Sequence, residues 1–237
     1  MVGKLLLRGM IAGVVAGLIA FGFARLYGEP AVDRAIAFEE QTSQAKGEAP
    51  GEELVSRTTQ AGIGLATALV VFCASVGGLF SLVFAFVYGR LGPLRARSTA
   101  ALLALGAFIA IALVPLMKYP ANPPAVGDPE TIGARTELFM VMLIISLLAL
   151  VLAVLTARRY WSQWGGWNAS MLAGGLFLAI VGVAHFALPP INEVPENFSA
   201  DVLWQFRVAV LGIQFLLWST LGLLFGVLAE RSLAERR

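Results

Sequence analysis

The chain has 237 residues, of which 58% are hydrophobic and 14% charged, with a net charge of +2 and a mean hydropathy of +0.80. That balance excludes a soluble domain and describes an integral membrane protein. One cysteine, Cys73, and one histidine, His185, exclude an intrachain disulfide and any metal site built from several thiolates or imidazoles.

A spanning helix needs about 20 mostly apolar residues, and a charge at the bilayer centre costs at least about 2.5 to 3.5 kcal/mol. Charge-free runs predict spans near 5–27, 63–88, 98–117, 138–157, 169–188 and 207–229, with an outer polar loop over 28–60. The expected fold is all-α: a polytopic membrane helix bundle of about six transmembrane helices in three tandem hairpins, one integral domain over 1–237. In the first run, Gly9, Gly13 and Gly17 recur every fourth residue, the small-xxx-small pattern of closely packed membrane helices. The same run is open to a second reading as the apolar core of a cleaved signal peptide after Lys4.

The polar stretch after it predicts a short helix beginning near Pro30 and a flexible linker after Gln41. At 100° per residue, Glu29, Asp33 and Glu40 fall within about 40° of one another, a carboxylate stripe shared with Ile36. Cys73, inside the second run, is read as apolar packing. Two proline-rich turns follow downstream, Lys118–Glu130 with Asn122 and Asp128, and Leu188–Asn197 with Asn192 and Glu193. Proline costs a helix interior about 3 kcal/mol, so both mark helix ends, where freed carbonyls lie beside carboxylates. Oxygen ligands of this kind suit a hard or intermediate cation: Glu29, Asp33, Glu40, Asn122, Asp128, Asn192 and Glu193 are the candidate metal ligands. Their cationic neighbours Arg25, Arg34, Lys118 and Arg207 are expected to hold the loops together.

Lysine and arginine set the orientation, because cytoplasmic span ends carry the excess of positive charge. With both termini inside, ten of the 17 cations are cytoplasmic, among them Lys4, Arg8, Arg90, Arg97, Arg158, Arg159, Arg231, Arg236 and Arg237. Thirteen of the 15 carboxylates then face outward, all but Glu230 and Glu235. Tyr88, Tyr160, Trp161 and Trp164 fall near inner ends of spans, and Tyr27, Tyr119 and Trp204 near outer ones, as headgroup-level aromatics do.

No P-loop, HExxH or nucleophile-elbow pattern occurs, so an enzyme is not expected, and the scattered basic residues do not indicate nucleic-acid binding. Four segments, Phe23–Glu40, Tyr88–Pro93, Lys118–Pro129 and Leu188–Glu196, closely resemble the probable cobalt transporter (CbtA) family. The resemblance runs from first span to last. It implies a bacterial cell (inner) membrane protein that takes up cobalt(II) or a similar divalent cation for cobalamin synthesis, with no tightly bound cofactor. It also implies a small single-span partner, the second subunit of the transporter, whose histidine-rich segment supplies imidazoles, and five spans where the charge-free runs give six. The lipid bilayer is its medium, and a homo-oligomer is compatible with it. Two other readings stay open: a membrane scaffold that docks a partner through its acidic outer loops, and a carrier for an organic cation received by Tyr119 and Trp204.

Overall fold

The computed structural model describes residues 2–47 and 55–234. Part of the expected linker and the terminal Glu235, Arg236 and Arg237 of the charge count lie outside the described residues. Five long helical segments follow one another: α1 (Val2–Lys46), α2 (Arg57–Val87), α3 (Ala96–Lys118), α4 (Ile132–Ala187) and α5 (Ala200–Ala234). Each is long and apolar enough to cross a membrane, and the described residues contain no strand. The fold is an all-α helical bundle.

α4 is too long to be a single straight span. Its 56 residues would reach about 84 Å if straight, far beyond a hydrocarbon core of about 30 Å. Gly165 interrupts it with φ 75° and ψ 158°, a conformation essentially reserved for glycine. Residues from both sides of the break then pack together: Met142 and Ala184 share a buried cluster with Leu138, Phe139, Phe177 and Val181. α4 is therefore a hairpin of arms 132–164 and 166–187.

Two expectations about helix ends need correction. The helix does not stop at Gly28–Pro30: α1 runs on to Lys46, past the expected loosening at Gln41, and ends where Gly47 takes a left-handed φ of 72°. The chain accommodates Pro30 through a π-helical turn over Ala24–Gly28, in which the Glu29 N–H reaches back to the Ala24 carbonyl. α3 repeats the device. A π-helical turn over Phe108–Leu113 lets the Val114 N–H bond the Ile109 carbonyl immediately before Pro115. In both places the wider turn removes the clash between the proline ring and the preceding helical turn. It also strands one carbonyl. Ala110 has lost Val114 as its α-helical donor, and its next donor would be the proline nitrogen, which has no hydrogen.

The chain divides into two compact units: Met1–Leu105 with Asn122–Val126 and Pro195–Arg237, and Gly106–Ala121 with Gly127–Val194. In the first, α1 packs on α2 through the glycine stripe. A Cβ on Gly13 would lie 2.1 Å from the Cys73 carbonyl oxygen, and one on Gly9 2.3 Å from that of Gly77. Glycine is required for backbones this close, and Cys73 sits buried in the same contact. α5 covers this pair with Phe225, which meets Phe80 and Phe84 edge-on at ring separations of 5.5 and 5.1 Å. In the second unit, the outgoing half of α3 packs on the α4 hairpin, and buried Ser146 donates a hydrogen bond to the stranded Ala110 carbonyl.

Candidate metal-handling site

At one end of the first unit, the extension of α1, the start of α5 with the residues before it, and the segment at Asn122 meet. Arg34, on the extension of α1, donates to Gln205 of α5, and Phe38 meets Phe198 edge-on at 5.1 Å. Arg207 of α5 donates to Asn122 Oδ1 at 2.9 Å. The opposite end of this unit holds Arg8, which donates to the Leu228 carbonyl, and the ion pair of Arg97 with Glu230. Acid-rich turns and basic segments thus occupy separate ends, as the charge pattern predicts.

The charged centre of the acidic end is Arg57, at the start of α2. Its Nε donates to Asp33 Oδ1 at 2.9 Å, and its Nη2 donates to Glu29 Oε2. Glu29 and Asp33 are four residues apart on α1, so their carboxylates stand one turn above the other. One guanidinium spans both. Their exposures are graded, with 9% of the Glu29 side chain and 56% of the Asp33 side chain open to solvent. Two carboxylates against one guanidinium leave the group one negative charge in excess. Glu40 is on the same stripe and exposed. It lies seven residues, about 10 Å, farther along the helix than Asp33, beyond reach of the pair.

In the second unit, residues 118–121, 127–131 and 188–194 are tied to one another. Tyr119 Oη donates to the Pro189 carbonyl at 2.9 Å, and the Asp128 N–H donates to Glu193 Oε2 at 2.9 Å. Arg135 lies 3.4 Å from the same oxygen as an ion pair, and donates from Nη2 to the Asp128 carbonyl at 3.2 Å. Its guanidinium rests against Gly127, where φ is 114° and an added Cβ would come within 2.1 Å of Nη1. The Asp128 N–H bond and the Thr131 hydroxyl, with a lesser pull from the Arg135 charge, hold the Glu193 carboxyl below its ordinary pKa against the opposing effect of burial. Asp128 turns its own carboxylate to the Glu130 N–H at 2.9 Å, capping the turn that leads into α4. Asn192 is exposed.

A family model described as "Probable cobalt transporter subunit (CbtA)" matches residues 2–230. The chain belongs to this family. No curated protein and no solved structure matches it. As a CbtA family member it is a membrane transport protein, and the word subunit implies a partner chain.

Seen in this CbtA family member, the candidate ligands fall into three local settings: Glu29 with Asp33, Asn122 with Arg207, and Asp128 with Glu193. Glu40 and Asn192 stand apart from them. Among the described residues, no three histidine, cysteine, aspartate or glutamate side chains form a group able to hold a metal ion. The two cations that organise the carboxylates, Arg57 and Arg135, were not among those expected to do so. Arg34 joins α1 to α5 and Arg207 joins α5 to the turn at Asn122, each through a neutral amide, while Lys118 lies over the Tyr119 ring at 5.7 Å. The signal for Arg57 was its position, a lone cation just ahead of the second apolar run, but pairing across 24 or 28 residues is not readable from spacing. His185 lies in the last turn of α4, edge-on to Phe186 at 5.7 Å.

Proposed function

We propose that this chain is the membrane-embedded subunit of a divalent-cation uptake system, carrying cobalt(II) inward for cobalamin synthesis. The match to the cobalt transporter family over residues 2–230 carries this reading. The excess of lysine and arginine at the other ends of the spans supports an outward-facing acidic end, cytoplasmic termini and residence in a bacterial inner membrane. The geometry favours Glu29 and Asp33 as the point of entry. Exposed Asp33 receives the hydrated ion, Glu29 takes it deeper, and Arg57, which holds both carboxylates in the resting state, is displaced. A divalent ion would turn the excess charge of the group from −1 to +1 if Arg57 stayed, and repulsion between the two cations drives the guanidinium out. Glu40, Asn122, Asp128, Asn192 and Glu193 serve as an acidic and carbonyl-rich approach that raises the local cation concentration, an effect screened by salt. The imidazoles that this chain lacks come from a small single-span, histidine-rich partner.

The test is cellular cobalt accumulation with the partner present, normalised to folded protein in the membrane. Glu29→Gln with Asp33→Asn should lower uptake at least about tenfold, whereas Asp128→Asn with Glu193→Gln should act mainly on the amount of folded protein. Wild-type uptake by the first pair removes Glu29 and Asp33 from the mechanism.

A second reading has its own observation. Asp128 and Glu193 are engaged in holding turns together, which suits acidic loops that are structural and dock a partner while the ion passes elsewhere. Liposomes containing the purified chain, with and without the histidine-rich partner, separate the two. Failure to pass cobalt in either case supports the scaffold.

A further inference from the structure

The break in α4 has a collar of unusual composition. Between Glu137 and Glu193 there is no acidic residue, yet Arg158, Arg159, Tyr160, Trp161, Trp164 and Trp167 crowd the ten positions around Gly165. The arms on either side are spanning length and pack on each other, so the break must lie at a membrane surface and not within the hydrocarbon.

The side chains are displayed outward. Trp161, Trp164 and Trp167 are 57%, 51% and 78% exposed, and both arginines are exposed. Neither arginine forms an ion pair among the described residues. The aromatic rings are nonetheless held in place: Tyr160 and Trp164 lie 4.9 Å apart, and Trp161 covers Gly166, where a Cβ would meet its ring at 2.7 Å. Indole rings with their N–H groups prefer the depth of lipid headgroups, and adjacent guanidinium groups suit the phosphodiesters found there.

We propose that this collar is a binding surface for anionic phospholipid headgroups, gripping phosphates through Arg158 and Arg159 and fixing the depth of the α4 hairpin through its three tryptophans. The charge argument singles out anionic over zwitterionic lipid: each basic residue near a negatively charged membrane surface adds to binding, and the collar has no carboxylate to offset it.

The test uses the full chain purified in a neutral detergent, with phosphatidylglycerol, phosphatidylcholine or inorganic phosphate added at matched concentrations. Retained lipid is read by native mass spectrometry, and thermal stability by a melting curve. Wild type should retain phosphatidylglycerol about tenfold more than phosphatidylcholine and melt higher in its presence. Arg158→Gln with Arg159→Gln should abolish that preference, and Arg158→Lys with Arg159→Lys should keep most of it. Equal retention of the two lipids by wild type, an undiminished preference in the glutamine variant, or equal stabilisation by inorganic phosphate would each overturn the proposal. Misfolding of the glutamine variant would show in its melting curve without lipid, and the wild-type lipid comparison then decides.

Discussion

Ser146 donates its hydroxyl proton to the carbonyl of Ala110, the acceptor that Pro115 leaves without a backbone donor. The pairing joins the outgoing half of α3 to the first arm of α4 at a fully buried position. Ser146→Ala should destabilise the protein by about 1 kcal/mol, the ordinary scale for a hydrogen bond between membrane helices. Unfolding in mixed micelles measures it. Because the partner carbonyl is stranded by proline, Pro115→Ala, which restores an N–H, should reduce the cost of Ser146→Ala. Strict additivity of the two substitutions would refute that link.

The crossing of α1 and α2 sets a second expectation. An alanine at Gly13 cannot fit with its Cβ 2.1 Å from the Cys73 carbonyl, so the helices must separate, at a cost of about 1 to 3 kcal/mol. Gly22, on the same helix, has nothing within 4 Å of where an added methyl would lie. Gly22→Ala should therefore be neutral or stabilise by up to about 1 kcal/mol. Similar melting of the two variants would mean that the close approach is not what holds the pair.

Much of this bundle was legible because apolar run length and glycine spacing act locally. The stripe at Gly9, Gly13 and Gly17 is a pattern on one helix face, and its partner needs only to be another apolar helix. Pro30 misled for a reason that is also local: proline removes one hydrogen bond, but a π-helical turn over Ala24–Gly28 lets the helix absorb the loss and continue. The acidic residues were found by type, and the separation of acidic from basic ends in the first unit followed from their distribution. Their partners were not, since Arg57 pairs with Glu29 across a polar stretch of 28 positions whose path no short-range rule determines.

Glu193 gives the second unit a predictable response to acid. Its folded pKa lies below the ordinary value of 4.5, chiefly through the Asp128 N–H. A depressed carboxylate pKa contributes stability that is fully present above the ordinary value and is lost as pH falls through the folded one. Hydrogen exchange in residues 127–131 should remain slow at about pH 5, after correction for intrinsic rates, and speed up as pH falls below the ordinary carboxylate value. Glu193→Gln should flatten this dependence while leaving exchange faster throughout. Loosening that sets in above about pH 5, or that persists unchanged in the glutamine variant, would assign the effect to another group.

The Arg57 bridge makes the sharpest prediction, because its two carboxylates differ in exposure. Removing the guanidinium strands Glu29, whose side chain is only 9% exposed, whereas Asp33 can turn to water. Arg57→Gln should therefore destabilise the protein by about 2 to 4 kcal/mol, the scale for leaving one member of a largely buried pair uncompensated. Adding Glu29→Gln should recover most of that loss, while adding Asp33→Asn should recover little. A chemical-denaturation cycle over the three residues reads these couplings directly. Equal recovery from the two second substitutions would show that the exposure gradient between Asp33 and Glu29 has no energetic consequence, and the proposed inward order of cation transfer would lose its basis.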